Sequence, residues 1–396
     1  APVSVYKSTG SYTDLGADQL SWEGLQALPQ KYAGMSTAEA REAVVAFWRY
    51  CKTALWMPDE RLDIYLEEDG VQVLKRWLEP GCVYGGLPYV TTGAGSIYRL
   101  FDFMNPETGV VDMSEAGRYP VLLGNVCSTG CYWAWARVMN SSVYTWSQYS
   151  VKTNGCIPVG PYTYDLTKEK FSKTDTTTDV CTANGEQIMF QSYAQMKPAD
   201  GLVYYTTAGH VIMCTSTPVI VTNPDGTING DESYTTFMDQ GMAWREMEQS
   251  DGTKYRVQGG VHRKVTFSSL YKTSYIPFTI AEFLGTDPVE KAEVSLNVEI
   301  GESVTAKDLQ KATATSTSTM SHCIVTVTDK DNKALYKYTA YLGQGKNMVA
   351  SYPYDLSKAI FPASLSAHAG KGNTIVVKMW VGSGECLELV RATLKK

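Results

Sequence analysis

The spacing of hydrophobic positions changes period along this chain. From Ser36 it is helical. Val44, Phe47, Trp48 and Cys51 form one stripe in an Ala-rich stretch, and Ser36-Thr37-Ala38-Glu39 reads as a capping box with Ser36 as N-cap and Glu39 at N3. A second helix is predicted from about Asp59 to Leu78, ended by Pro80-Gly81. Helical spacing returns at Cys131, Trp135 and Val138, which share one face, so Cys127 stands at or just before the first turn of a buried helix. From about 141 to 196 there is little periodicity. Pro158, Gly160, Pro161 and the run from Thr174 to Asp179 predict loops, with a helix from Glu186 to Gln195.

Strand patterns then dominate. Lys197 to Gly201 is a turn, Leu202 to Tyr205 a short strand, and Thr206 to Gly209 a second turn. His210 to Cys214 is the next strand, extended by Pro218 to Thr222, before the turn Asn223-Pro224-Asp225-Gly226. Tyr234 to Asp239 reads as a third strand with Thr235, Phe237 and Asp239 on one face. A helix or loop follows around Gly241 to Gln249, then short strands near Tyr255–Val257, Lys264–Phe267 and Tyr275–Phe278. Beyond Gly285, Val294, Leu296, Val298 and Ile300 alternate with polar residues, a turn at Asp329 to Lys333 separates two alternating runs, and further strands are read at Asn373–Val381 and Leu387–Leu394. Thr313 to Thr319 reads as a polar loop. Many short strands with turns between them predict a β-sandwich.

These patterns divide the 396 residues into three regions. Residues 1–80, where Gly10, Gly16 and Gly34 break the first part, form a helical region that covers the next one; residues 81–285 carry the chemistry; residues 286–396 form the sandwich, entered through a linker at Asp287-Pro288. Composition agrees with packed domains, at 44% hydrophobic and 19% charged. A net charge of −6 without a basic block argues against nucleic acid and against an anionic membrane surface. No apolar run reaches the roughly 20 residues that span a bilayer. Ala1 stands without an initiator Met, which reads as a mature secreted chain or a trimmed one. The nine cysteines are scattered with no Cys-x-x-Cys pair, which argues against a metal cluster; Cys156 and Cys181 flank a loop-like stretch and could bridge.

Chemistry enters with Cys127. A thiol at a helix start meets backbone N–H groups and the positive end of the helix dipole, which favour thiolate and can hold an oxyanion. Cys131, one turn on, fits packing. A nucleophilic Cys needs a base. Of His210, His262, His322 and His368, the last two lie in the sandwich and His262 beside Arg263 and Lys264 reads as a solvated face. His210 opens a strand after a glycine turn, and Asp239 at the end of the neighbouring strand is the orienting partner, with Gln240 as the fallback. Ahead of the Cys, the glycines of Val83-Tyr84-Gly85-Gly86-Leu87-Pro88-Tyr89-Val90 and Thr92-Gly93-Ala94-Gly95 predict a tight loop with close backbone approach, and not a phosphate loop.

Cys127-Ser128 opening a Trp-rich helix, Pro198-Ala199-Asp200-Gly201-Leu202-Val203-Tyr204 leading to Gly209-His210-Val211-Ile212, and Met238-Asp239-Gln240 resemble the NlpC-type cysteine peptidases of the bacterial cell wall and the related CHAP domains. Pro88-Tyr89 with Gly93 and Gly95 is similar to the segment ahead of the family's Cys. The chain departs from the family where Val126 replaces its Asp, and where Thr129 stands at its Gly with Gly130 one later. The resemblance implies an α+β papain-like domain and a Cys127–His210–Asp239 mechanism through a thioester. It implies oxyanion or substrate contacts from Tyr89, Tyr84, Ser128 and Gln240, and no metal or organic cofactor. It further implies peptidoglycan stem peptides as substrate and an extracytoplasmic setting. A catalytically inert cell-surface binding protein and a thiol-dependent acyl or amide transferase are the rival readings.

Overall fold

A computed structural model describes residues 34–90, 95–105, 107–113, 124–138, 156–164, 175–248, 252–285, 291–341 and 353–396. The breakers Gly10 and Gly16, the residues Thr92, Gly93 and Ala94, and the linker at Asp287-Pro288 lie outside the described residues. The protein is mixed α+β with several sheets, and it divides into two compact units. Among the described residues the first unit takes 35–135 and 156–285, and the second takes 34, 136–138 and 291–396.

The first unit opens with α1 (Thr37–Thr53). Its capping box is formed as the sequence suggests: the Ser36 hydroxyl accepts the Glu39 amide, and the Glu39 carboxylate accepts the Ser36 amide at 2.9 Å. Val44, Phe47 and Trp48 are buried. Strand β1 (Leu55–Pro58) follows, and then the expected second helix is absent. Asp59 to Leu78 instead forms an antiparallel hairpin of β2 (Leu62–Glu68) and β3 (Val71–Leu78). The reason is local. Asp69-Gly70 takes positive φ at both positions, 49° and 79°, which is the two-residue turn whose twist suits a hairpin. The described part of the 1–80 region is one helix followed by strands.

Further along come β4 (Tyr84–Gly85), α2 (Ile97–Phe103), β5 (Val110–Val111), α3 (Cys127–Trp135) and β6 (Cys156–Pro158). Two helices, α4 (Thr177–Asn184) and α5 (Glu186–Ala194), precede the main strands. The first of these occupies part of the predicted loop, because Thr176 and Asp179 build a second capping box. Then come β7 (Gly201–Tyr205), β8 (Gly209–Cys214), β9 (Tyr234–Met238), β10 (Trp244–Glu248), β11 (Lys254–Gln258), β12 (Arg263–Thr266), α6 (Phe267–Lys272) and β13 (Ile276–Ile280). The stretch around Gly241 to Gln249 thus contains a strand, fixed by full antiparallel pairing of β10 with β11. The expected extension of β8 by Pro218 to Thr222 is reduced to isolated bridges at Val219 and Thr222.

Two sheets organise this unit. One runs β10-β11-β4-β1-β5; the other, antiparallel throughout, runs β12-β9-β8-β7-β13-β6. Helix α3 packs on β8, and its far end is fixed by Trp135. The Trp135 indole N–H donates to the Ala199 carbonyl at 2.8 Å, and its ring meets Phe278 of β13 edge-on at 5.6 Å.

The second unit holds β14 (Val294–Leu296), β15 (Ser303–Thr305), α7 (Ala306–Leu309), β16 (Thr313–Ser316), β17 (Met320–Thr328), β18 (Ala334–Tyr341), β19 (Tyr354–Asp355), α8 (Pro362–Leu365), β20 (Thr374–Val381) and β21 (Cys386–Lys395). They form a sheet β14-β16-β19 and a sheet β15-β21-β20-β17-β18, and one apolar core that includes Ala314, Val325, Val377 and Leu394 draws on both. The predicted loop at Thr313 to Thr319 begins as strand β16: Ala314 and Ser316 face inward, Thr315 pairs with Ser295 of β14 and Thr313 with Asp355 of β19. Among the described residues no helix is long and apolar enough to cross a membrane.

Candidate active site

The start of α3 is set by its own residues. The Val126 carbonyl accepts the Gly130 amide at 2.8 Å, which makes Val126 the N-cap and Cys127 the first helical residue. Thr129, at N3, reaches back so that its Oγ1 accepts the Val126 amide at 2.9 Å, one half of a capping box. Cys127 is buried at 4% exposure in the first turn, where the amides lack intrahelical acceptors and the dipole is positive. The chain ahead of it is braced by Pro88-Tyr89-Val90. Tyr89 bridges Asn125 in parallel, the Asn125 amide donates to the Pro88 carbonyl at 3.1 Å, and the Val90 amide donates to the Asn125 carbonyl at 3.2 Å. Tyr89, half-buried, is thereby held beside the approach to Cys127.

His210 is the second residue of β8, and Asp239 directly follows β9. These strands are antiparallel with Met213 opposite Met238. Continuing that register one step sets Asp239 opposite Ile212, so His210 is its diagonal neighbour on the same face, within reach of long side chains. The contact is made: His210 Nε2 lies 2.9 Å from Asp239 Oδ2. The Cys127 side chain also acts on the imidazole, helping it hold a proton. With Nε2 engaged by the carboxylate, Nδ1 is the nitrogen left for sulfur. His210 is therefore the histidine that meets Cys127. His262 is half-buried against the Thr215 hydroxyl at 3.2 Å, and His322 is buried in the second unit on Trp380.

Asp239 sits in a cradle of glycines. Its Oδ1 accepts the Gly260 amide at 2.6 Å, and its own amide donates to the Gly260 carbonyl at 3.2 Å. Gly259 has φ +77°, and a Cβ there would lie 2.3 Å from the Asp239 carbonyl oxygen; one on Gly241 would lie 2.8 Å from Oδ2. The carboxylate is packed where side chains do not fit.

Electrostatics follow from this burial. Burial by itself lowers the affinity of His210 for a proton, but the Asp239 hydrogen bond and the Cys127 side chain outweigh it and raise the imidazole to about 10. Burial opposes ionisation of Asp239, yet the His210 hydrogen bond and charge, the charge of Lys52 and the Gly260 amide hold its carboxyl below the ordinary range. Cys131 is pushed well up by burial, with the neighbouring Cys127 and Asp239 adding to it, and stays a packed thiol.

The other sequence-nominated residues fall in different places. Ser128 is half-buried one step along α3. The Gln240 carboxamide is taken by neighbours, donating to the Leu87 carbonyl at 2.8 Å and accepting from Lys52 Nζ at 2.6 Å, so Asp239 and not Gln240 stands at His210. Tyr84 is not brought to the thiol. It lies in β4 between Trp56 and Trp244, and its hydroxyl accepts the Glu79 amide at 2.9 Å. Two tyrosines that the sequence reading missed stand nearer. Tyr204 is the direct cross-strand partner of His210, with ring centroids 6.3 Å apart, and Tyr275 meets Tyr204 edge-on at 5.0 Å. The Tyr204–His210 pairing across one turn was the available signal.

Also missed were two cations of α1. Arg41 and Lys52 are about three turns apart and share a face. Arg41 Nη1 pairs with the buried Asp200 at 2.7 Å and also donates to the Pro198 carbonyl at 2.9 Å, which ties α1 to the turn entering β7. All nine cysteines are thiols and not half-cystines, so Cys156 and Cys181 do not bridge; Cys181 Sγ faces the Tyr275 carbonyl at 3.8 Å. Among the described residues no group of three or more His, Cys, Asp or Glu side chains could hold a metal ion.

Comparison of the chain with protein-family models, with curated proteins and with solved structures finds no match in any of the three.

Proposed function

We propose that this protein is a cysteine hydrolase that cleaves amide bonds, with Cys127 as nucleophile, His210 as general base and acid, and Asp239 as the group that orients and charges the imidazole. The single observation that carries the reading is the His210–Asp239 pair, 2.9 Å apart, whose imidazole is also acted on by Cys127 in the first turn of a buried helix. In this mechanism the sulfur gives its proton to His210 and attacks the substrate carbonyl. The oxyanion is met by first-turn amides of α3, with Tyr89 alongside. His210 then protonates the departing amine and a thioester remains. Water, deprotonated by His210, attacks the thioester and releases the acid and the thiol. We further read the first unit as a papain-like domain, the second as a β-sandwich, and the substrate as the peptide stems of peptidoglycan met outside the cytoplasm. The family resemblance of the segments around Cys127, His210 and Asp239 supports this part.

The test is to incubate the protein with muropeptides and follow new amines by mass spectrometry, alongside iodoacetamide labelling. Stem-peptide cleavage that disappears in Cys127→Ala, with Cys127 labelled ahead of the other eight cysteines, is the expected result. Unchanged cleavage by Cys127→Ala would show the nucleophile to be misassigned, and an unreactive Cys127 without cleavage of any stem would favour an inert binding protein.

A further inference from the structure

Lys52 is a buried cation at the last turn of α1, 3% exposed. An ammonium in such a place is costly unless acceptors and counter-charge surround it. Its acceptors are Gln240 Oε1, at 2.6 Å, and the Gln258 carbonyl. These two contacts have one thing in common. Gln240 is the residue after Asp239, and Gln258 leads into Gly259-Gly260, whose second amide binds Asp239 Oδ1 at 2.6 Å. Gln240 is anchored on its other side by the Leu87 carbonyl at 2.8 Å, and Gln258 by its side chain, which accepts the Tyr89 amide at 2.6 Å and donates to the Met242 carbonyl at 3.1 Å. One ammonium thus ties together both chain segments that form the cradle of the carboxylate.

We infer that Lys52 is a positioning residue for the proposed Cys127–His210–Asp239 site: its ammonium fixes the Gln240 and Gln258 segments around Asp239 and supplies the positive charge that keeps that buried carboxylate ionised. The inference rests on the hydrolase reading above and adds a fourth residue to it, one that touches neither substrate nor thiol. The ionisable groups facing the ammonium are Asp239 after β9, Arg245 of β10, Cys131 of α3 and Cys51 of its own helix. Burial pushes Lys52 down to about 8, against the pull of Asp239, so the charge is present through neutral pH and fades above it. The negative end of the α1 dipole also favours a cation at this turn.

The sign of the effect is fixed by charge. Without the ammonium, Asp239 takes up a proton at higher pH. The imidazolium then loses its counter-ion, His210 gives up its proton at lower pH, and Cys127 loses the charged partner its reaction needs. The experiment is the pH–rate profile of Cys127 alkylation by iodoacetamide, read by mass spectrometry in wild type, Lys52→Met and Lys52→Gln, with melting curves for all three. Lys52→Met should lower the rate on the acidic limb of the profile about tenfold. Lys52→Gln, which keeps a donor without the charge, should move it in the same direction. A folded Lys52→Met with the wild-type limb overturns the inference and leaves the hydrolase reading standing. So does failure of both variants to fold, since the residue is assigned to the site and not to the core. A wild-type protein with no thiolate limb at Cys127 sinks the hydrolase reading itself.

Discussion

Asp239 is a carboxylate with almost no water around it, held ionised by one imidazole, one backbone amide and a nearby ammonium. Because both members of the His210–Asp239 pair are shifted toward their charged forms, the pair links stability to pH. His210 has an ordinary value of 6.5 and is raised to about 10, so its contribution is complete below 6.5 and is lost as pH rises through about 10. Asp239 lies below its ordinary 3.8, so its share is present above 3.8 and is lost as pH falls through the depressed value. The melting temperature of wild type minus that of Asp239→Asn should therefore be largest between about pH 4 and 6.5 and shrink toward pH 10; a difference that grows with pH would contradict the assignment. On substrate the same variant should lose about 100-fold or more in kcat, because the imidazole loses both its orientation and its counter-charge.

At the scale of elements, the site is three termini brought together: the start of α3, the start of β8 and the end of β9. Each is placed by local chemistry. Thr129 sets the first, the turn at Thr206 to Gly209 the second, and the glycines at 241, 259 and 260 the third. Gly259→Ala should lose about 1–2 kcal/mol from the left-handed backbone alone and more from the clash with the Asp239 carbonyl. Its mark beyond lower stability should be slower alkylation of Cys127 at pH 6, since the carboxylate is displaced; normal reactivity in a destabilised variant would separate the cradle from the thiol. Element identity was legible where local signals agreed. Ser36 and Glu39 announced α1, short apolar runs between turns announced β7 and β8, and a two-residue period announced β9. It failed at Asp59 to Leu78, where terminal Pro80-Gly81 suggested a helix end although Asp69-Gly70 was the stronger signal for a hairpin. It failed again at β10 and β16, short strands whose existence depends on partners elsewhere in the chain.

At the scale of the molecule, the two units have separate cores, and the candidate site lies wholly in the first. Met379, fully buried in the second core, should lose about 2–5 kcal/mol on substitution by Ala. The alkylation rate of Cys127 at 25 °C in that variant should match wild type; a large drop would mean that the second unit supports the chemistry. The sequence by itself determined what is written in neighbouring residues: a thiol at a helix start, an imidazole and a carboxylate at strand ends, and the change to β-rich sequence near residue 285. Only the tertiary structure decided that Tyr84 is packing, that Tyr204 stands by the imidazole, and that Arg41 and Lys52 on an apolar helix face are buried cations. The reason is physical. Helix caps and turns are settled over three or four residues. Burying a charge or aligning a strand, by contrast, becomes favourable only when a partner outside that window supplies the opposite charge or the open hydrogen bonds, as Asp200 does for Arg41 and β11 for β10, and no local pattern records that partner.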